Sequence, residues 1–130
     1  MDMMSVDATT AHCATSVAGA RESARAFLRT PRQPPIAAEA ADTVILVVSE
    51  LVTNALRHGG GTYTLRLTAH PGTIEVAVED PSPQLPHMRT PDLVDGTGGF
   101  GWHMVNDLSI ATIVTPTPEG GKTVRALLPH

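Results

Sequence analysis

The chain has 130 residues, 42% of them hydrophobic but only 3% aromatic, with one cysteine and a formal net charge of −4. That length buries one continuous, mostly aliphatic core without metal or disulfide staples, and the single Cys13 excludes an internal disulfide framework. The acidic balance with no Lys/Arg cluster argues against direct nucleic-acid binding, and the lack of a signal-peptide pattern or an apolar run of about 20 residues predicts a cytoplasmic chain with no membrane partner.

Residues 1–13 form an N-terminal segment, expected either as disordered chain or as a short strand, and residues 14–130 read as one domain. The stretch SVAGARESARAFLRT places Val17, Ala20, Ala24, Phe27 and Leu28 on one helical face and stops before Pro31. After the proline-rich connector RTPRQPPI, AEAADTVILVVSELVTNALRH reads as a second and more hydrophobic helix, ended by Gly59-Gly60-Gly61. TYTLRLTAH alternates Tyr63, Leu65, Leu67 and Ala69 against polar residues, and TIEVAVED alternates Ile74, Val76 and Val78 against Glu75 and Glu79. Joined at Pro71-Gly72, the two read as an antiparallel hairpin.

The next stretch, PSPQLPHMRTPDLVDGTGG, holds four prolines and no sustained period, which is long for a plain connection and points to a functional or disordered loop. FGWHMVNDL is a third, shorter helix, and SIATIVTP with KTVRALLP makes a last hairpin around Glu119-Gly120-Gly121. The predicted order is helix, helix, two strands, loop, helix, two strands. It implies an α+β fold, a two-layer α/β sandwich with helices on one face of a mostly antiparallel sheet.

GTGGFG, residues 96–101, matches the G-x-G-x-x-G spelling of a dinucleotide fingerprint. Such a fingerprint belongs between a first parallel strand and its crossover helix, whereas here only about 30 residues follow and they read as an antiparallel hairpin. Gly98, Gly99 and Gly101 instead open the third helix. They serve there as a plain hinge or as backbone donors that hold an anion. The six histidines show no paired metal-ligand spacing and read as surface residues.

On the second helix Val44, Val48, Leu51 and Ala55 make one core-facing stripe. Glu50 and Asn54, four apart, share another face that Arg57 and His58 extend by a turn. They either mark the solvent edge of the helix or place a general base beside a metal-binding oxygen. Asp80 ends the second strand before Pro81, where it either caps an Asx turn or accepts a hydrogen bond from a ligand's exocyclic amine.

Together SELVTNALRH, the Asp80 strand end, GTGGFGW and the terminal GKTVRALLP resemble the GHKL (Bergerat) ATP-binding fold of gyrase, heat-shock chaperone, histidine kinase and MutL ATPases. Within it, the chain looks like the small anti-sigma-factor serine/threonine kinases of actinobacteria, over residues 14 to 129. The resemblance implies ATP and Mg²⁺ as cofactors, Glu50 as the general base, and Asn54 as the Mg²⁺ ligand. It also implies that Arg57 and His58 line the nucleotide site, that Asp80 recognises the adenine amine and that Thr123 supports Asp80 with its hydroxyl. Gly98, Gly99 and Gly101 would contact phosphate beside Trp102, which stands where an aliphatic residue is usual, and residues 81–98 would form the ATP lid.

Two departures accompany the match. The first glycine box, roughly D-x-G-x-G in the wider fold, reads Asp80-Pro81-Ser82-Pro83-Gln84, and Arg89 is the only basic residue in the lid. By resemblance the function is phosphorylation of a STAS-domain anti-anti-sigma protein, regulation of a sigma factor and a homodimeric state. The alternative is a non-catalytic module of the same fold that binds ATP or sequesters a partner.

Overall fold

A computed structural model describes residues 6–8, 16–29, 36–58, 61–83 and 100–130. The elements run β1 (Val6–Ala8), α1 (Val17–Arg29), α2 (Ala38–His58), β2 (Thr64–His70), β3 (Thr73–Asp80), α3 (Phe100–Leu108), β4 (Ala111–Pro116) and β5 (Lys122–Pro129). The strands form one five-stranded sheet in the order β1-β2-β3-β5-β4, with every described pairing antiparallel.

The helices begin and end where the local chemistry directs. Ser16 lies before α1, and its Oγ accepts the Gly19 N–H at 2.9 Å, a side-chain N-cap. The apolar spacing of α1 buries Ala20, Ala24 and Phe27, with Val17 and Leu28 packed at the margin. The α2 stripe of Val44, Val48, Leu51 and Ala55 is buried, together with Val47 and Val52. Arg21 on α1 donates from Nε to Ser49 Oγ on α2 at 2.7 Å, which ties the two helices through a polar contact. Although α2 has 21 residues, no helix among those described is long and apolar enough to cross a membrane.

Alternation decides which sheet face the helices cover. In register, Leu65 faces Val78, Leu67 faces Val76 and Ala69 faces Ile74, while Val124, Ala126 and Leu128 continue the row on β5. All of these are buried and share one face, because a strand turns successive side chains to opposite sides. The helical layer lies against that face: α2 packs on β3 and β5, α1 on β2, and α3 on β4 and β5. The result is a two-layer α+β sandwich whose middle strand, β3, runs beneath α2.

The tight turns use glycine where the backbone demands it. Gly72 closes the β2–β3 turn at φ +77° and Gly120 the β4–β5 turn at φ +94°, a region that L side chains rarely adopt.

Tyr63, the only tyrosine, is 2% exposed just before β2 and donates its hydroxyl to the Ser16 carbonyl at 3.0 Å. Burial raises its phenol above the ordinary value of about 10, since the anion would be desolvated. The folded state therefore keeps a proton that the unfolded chain releases, so this contribution is intact below about pH 10 and is lost as pH rises through the raised value. Tyr63→Phe is expected to cost about 1 kcal/mol at neutral pH, by loss of the hydrogen bond, and to remove this alkaline component of stability. Urea unfolding across pH, with tyrosinate absorbance as a second readout, checks it; an unchanged alkaline profile in the variant would assign the loss to other groups.

Candidate nucleotide site

The inward row on β3 runs Ile74, Val76, Val78 and then Asp80, so the pleat that buries three aliphatic side chains also carries a carboxylate under the helical layer. The Asp80 side chain is 3% exposed and must find donors there. Two reach the same oxygen. The Ser82 N–H donates to Asp80 Oδ1 at 2.9 Å, closing an Asx turn, and Lys122 Nζ donates to Oδ1 at 3.0 Å in a buried ion pair. Lys122 Nζ also lies 3.3 Å from the Ser82 carbonyl oxygen. Among the described residues Oδ2 takes no donor.

Lys122 reaches Asp80 because the two lie directly opposite in the β3–β5 register. The pairing is legible in KTVRALLP: if Val124, Ala126 and Leu128 face inward, so does Lys122, and Thr123 goes with Arg125 and Leu127 to the other face. Thr123 pairs with Glu79 on one side and Thr115 on the other. The structure therefore does not bring the Thr123 hydroxyl to Asp80; the residue met there is Lys122, which sequence reasoning missed because a lysine reads as surface.

The turn entering β5 approaches the same point. A Cβ built on Gly121 would collide with the Asp80 carbonyl oxygen and come within 2.9 Å of Pro81 Cα. Gly121 N–H donates to Thr117 Oγ1 at 2.9 Å, so the close approach is fixed by the hairpin itself.

On α2, Glu50 and Asn54 are half-buried one turn apart, with Arg57 exposed beyond them. Neither Glu50 nor Asn54 makes a hydrogen bond or ion pair among the described residues. Glu50 keeps partial access to water. Leu46, which shares this side of the helix, is 39% exposed, whereas neighbouring Val47 is fully buried, so the polar face runs along the boundary of the core. His58 is the last residue of α2 and Gly101 lies in the first turn of α3.

Trp102 is 9% exposed and joins the core with Val105, so its ring serves packing in α3. Asn106 Nδ2 donates to the Trp102 carbonyl at 2.9 Å, and Thr112 Oγ1 donates to Asn106 Oδ1 at 2.7 Å, tying α3 to β4. Gly98, Gly99 and lid residues 84–98 lie outside the described residues.

These groups suit a magnesium nucleotide. An Asn54 amide oxygen with no partner among the described residues, one turn from the Glu50 carboxylate, fits a cation that prefers a few hard protein oxygens and takes the rest from phosphate and water. A buried carboxylate with one oxygen that takes no donor among the described residues fits a base amine.

The match to known families extends over residues 9–127 and is to the histidine kinase-like ATPase domain. The chain belongs to that family. An NMR structure of the histidine kinase domain of the E. coli osmosensor EnvZ is similar at 19% identity, covering 99% of this chain and 89% of that chain with a TM-score of 0.47. No curated protein matches the chain.

In this histidine kinase-like ATPase domain the Asp80 pair depends on Gly121. Gly121→Ala is expected to destabilise the fold by about 1–3 kcal/mol, because the new methyl group must displace backbone at Asp80 and Pro81. Chemical denaturation would measure it. A cost below a few tenths of a kcal/mol would mean that the β3 exit yields freely.

Proposed function

We propose that this domain is an ATP- and Mg²⁺-dependent serine/threonine kinase of the anti-sigma-factor type. It phosphorylates a STAS-domain anti-anti-sigma protein and so regulates a sigma factor, acting in the cytoplasm as a homodimer. The observation that carries the reading is the presence of two polar centres: a Glu50–Asn54 pair on α2 with no hydrogen-bond or ion-pair partner among the described residues, and a fixed, buried Asp80 at the end of the central strand. One suits phosphoryl chemistry, the other base recognition.

In the proposed reaction a partner's seryl oxygen bonds to the γ-phosphorus, the bond from that phosphorus to the β–γ bridging oxygen breaks, and ADP leaves. Glu50 takes the seryl proton. Magnesium, held by Asn54 together with phosphate oxygens, would supply charge neutralisation on the transferring group. Asp80 accepts from the adenine amine and thereby sets where the triphosphate lies.

With radiolabelled ATP and a cognate STAS protein, Glu50→Ala is expected to slow transfer roughly a hundred- to ten-thousandfold, the usual worth of a general base. ATP affinity by calorimetry should stay close to wild type. Undiminished transfer would remove Glu50 as the base. Asn54→Ala is expected to weaken Mg²⁺-dependent ATP binding itself.

A second reading, a non-catalytic module that binds ATP or sequesters a partner, is favoured by one observation. Where the wider fold has glycines after the aspartate, this chain has Pro81-Ser82-Pro83 folded on the Asx turn of Asp80. ATP binding without transfer to any STAS partner would select it.

A further inference from the structure

We infer that Lys122 is a second base-reading residue, whose ammonium donates to the ring nitrogen N1 of a 6-aminopurine while Asp80 Oδ2 accepts from the exocyclic amine. The inference rests on the proposed ATP reading and deepens it.

Lys122 is the only lysine in the chain, against eight arginines, and it is 6% exposed. Lysine is almost never buried without a partner, and the partner here is Asp80. The pairing leaves a complementary pair of free valences, one donor and one acceptor. An ammonium has three N–H donors and no acceptor. Two point to Asp80 Oδ1 and the Ser82 carbonyl oxygen, at 3.0 and 3.3 Å, which leaves one. On the carboxylate, both the ammonium and the Ser82 N–H use Oδ1, so Oδ2 keeps its acceptor capacity among the described residues.

An acceptor and a donor are thus held side by side on one sheet face, at the ends of two paired strands. The Watson–Crick edge of adenine presents the converse pair, an amine donor at position 6 and an acceptor at N1. A hydroxyl in place of Lys122 could also turn its lone pairs to a ligand, but an ammonium can only donate, so it demands an acceptor at N1. Arginine would bring five donors to three neighbouring acceptors, Asp80 Oδ1 and Oδ2 and the Ser82 carbonyl oxygen, and would leave more donors unmet.

The test uses the full chain and two nucleotides, Mg·ATP and Mg·1-deaza-ATP, in which N1 is replaced by a C–H. Calorimetry is expected to give wild-type binding of 1-deaza-ATP roughly ten- to hundredfold weaker than ATP, the worth of one hydrogen bond from a charged donor. In Lys122→Met the two nucleotides should bind within about twofold of each other, since no donor remains to miss N1.

A measurement without any variant accompanies this. Protein labelled with ¹⁵N-lysine has a single side-chain ammonium signal, which should shift with ATP and stay largely in place with 1-deaza-ATP. Equal wild-type affinities, an ammonium signal that answers both nucleotides alike, or a folded Lys122→Met that keeps the full discrimination would each overturn the role of Lys122 while leaving ATP binding standing. Absence of ATP binding would overturn the nucleotide reading, and this inference with it.

Discussion

Asp80 is the last member of a row of core side chains, and the β pleat that buries Val76 and Val78 gives its carboxylate no choice of direction. An ionised group so placed costs several kcal/mol unless donors meet it. Each donor that does so constrains the chain. The Ser82 N–H requires the chain to leave β3 through an Asx turn, and Lys122 requires β5 to start directly across from Asp80. Because β5 starts there, the residue before it must be glycine: the Asp80 carbonyl occupies the place of its Cβ. One buried carboxylate therefore couples the exit of the middle strand to the entry of its neighbour.

Helix α2 carries the complementary constraint. Its buried residues, Val44, Val47, Val48, Leu51, Val52 and Ala55, span a wide arc and commit it to the sheet and to both flanking helices. Polar side chains are left the edge of that arc, which is where Glu50 and Asn54 stand, half-buried and without a polar partner among the described residues. Ser49 is tolerated inside the arc because its hydroxyl has partners: it donates to the Ile45 carbonyl at 2.9 Å and accepts from Arg21. The same apolar surface that builds the core thus fixes where an acid and an amide can sit over the central strands.

Most of the fold could be read from period and punctuation. Pro31 and Gly59 bracketed the first two helices, and strict alternation in TYTLRLTAH and TIEVAVED placed Leu65, Leu67, Ile74 and Val76 inside. What escaped was non-local. A short strand is one of the two expectations for residues 1–13, but its pairing with β2, Val6 opposite Ala69, links residues far apart in the chain. Lys122 is assigned a solvated position by residue type and acquires a partner only when β5 is laid beside β3, 42 positions from Asp80. Thr123 was chosen for its hydroxyl, whereas its face depends on parity, and parity sends it away from Asp80. Trp102 stands where an aliphatic residue is usual, and it packs into the core through α3.

The two acids of the site are held in opposite ways, and that contrast bears on how such a site can work. Asp80 is fixed before any ligand arrives, by a turn, an ion pair and a tight hairpin, so using it for recognition costs little further ordering. Glu50 is half-buried on α2 and has no hydrogen bond or ion pair among the described residues, so no polar contact there fixes its carboxylate. A group that takes a proton from an incoming hydroxyl can do without prior polar partners, whereas a group that must distinguish one base edge from another gains from being fixed in advance. Under the proposed function, the burial pattern of the sheet and the boundary position on α2 would divide the labour: rigid discrimination beneath the helices, chemistry at their edge.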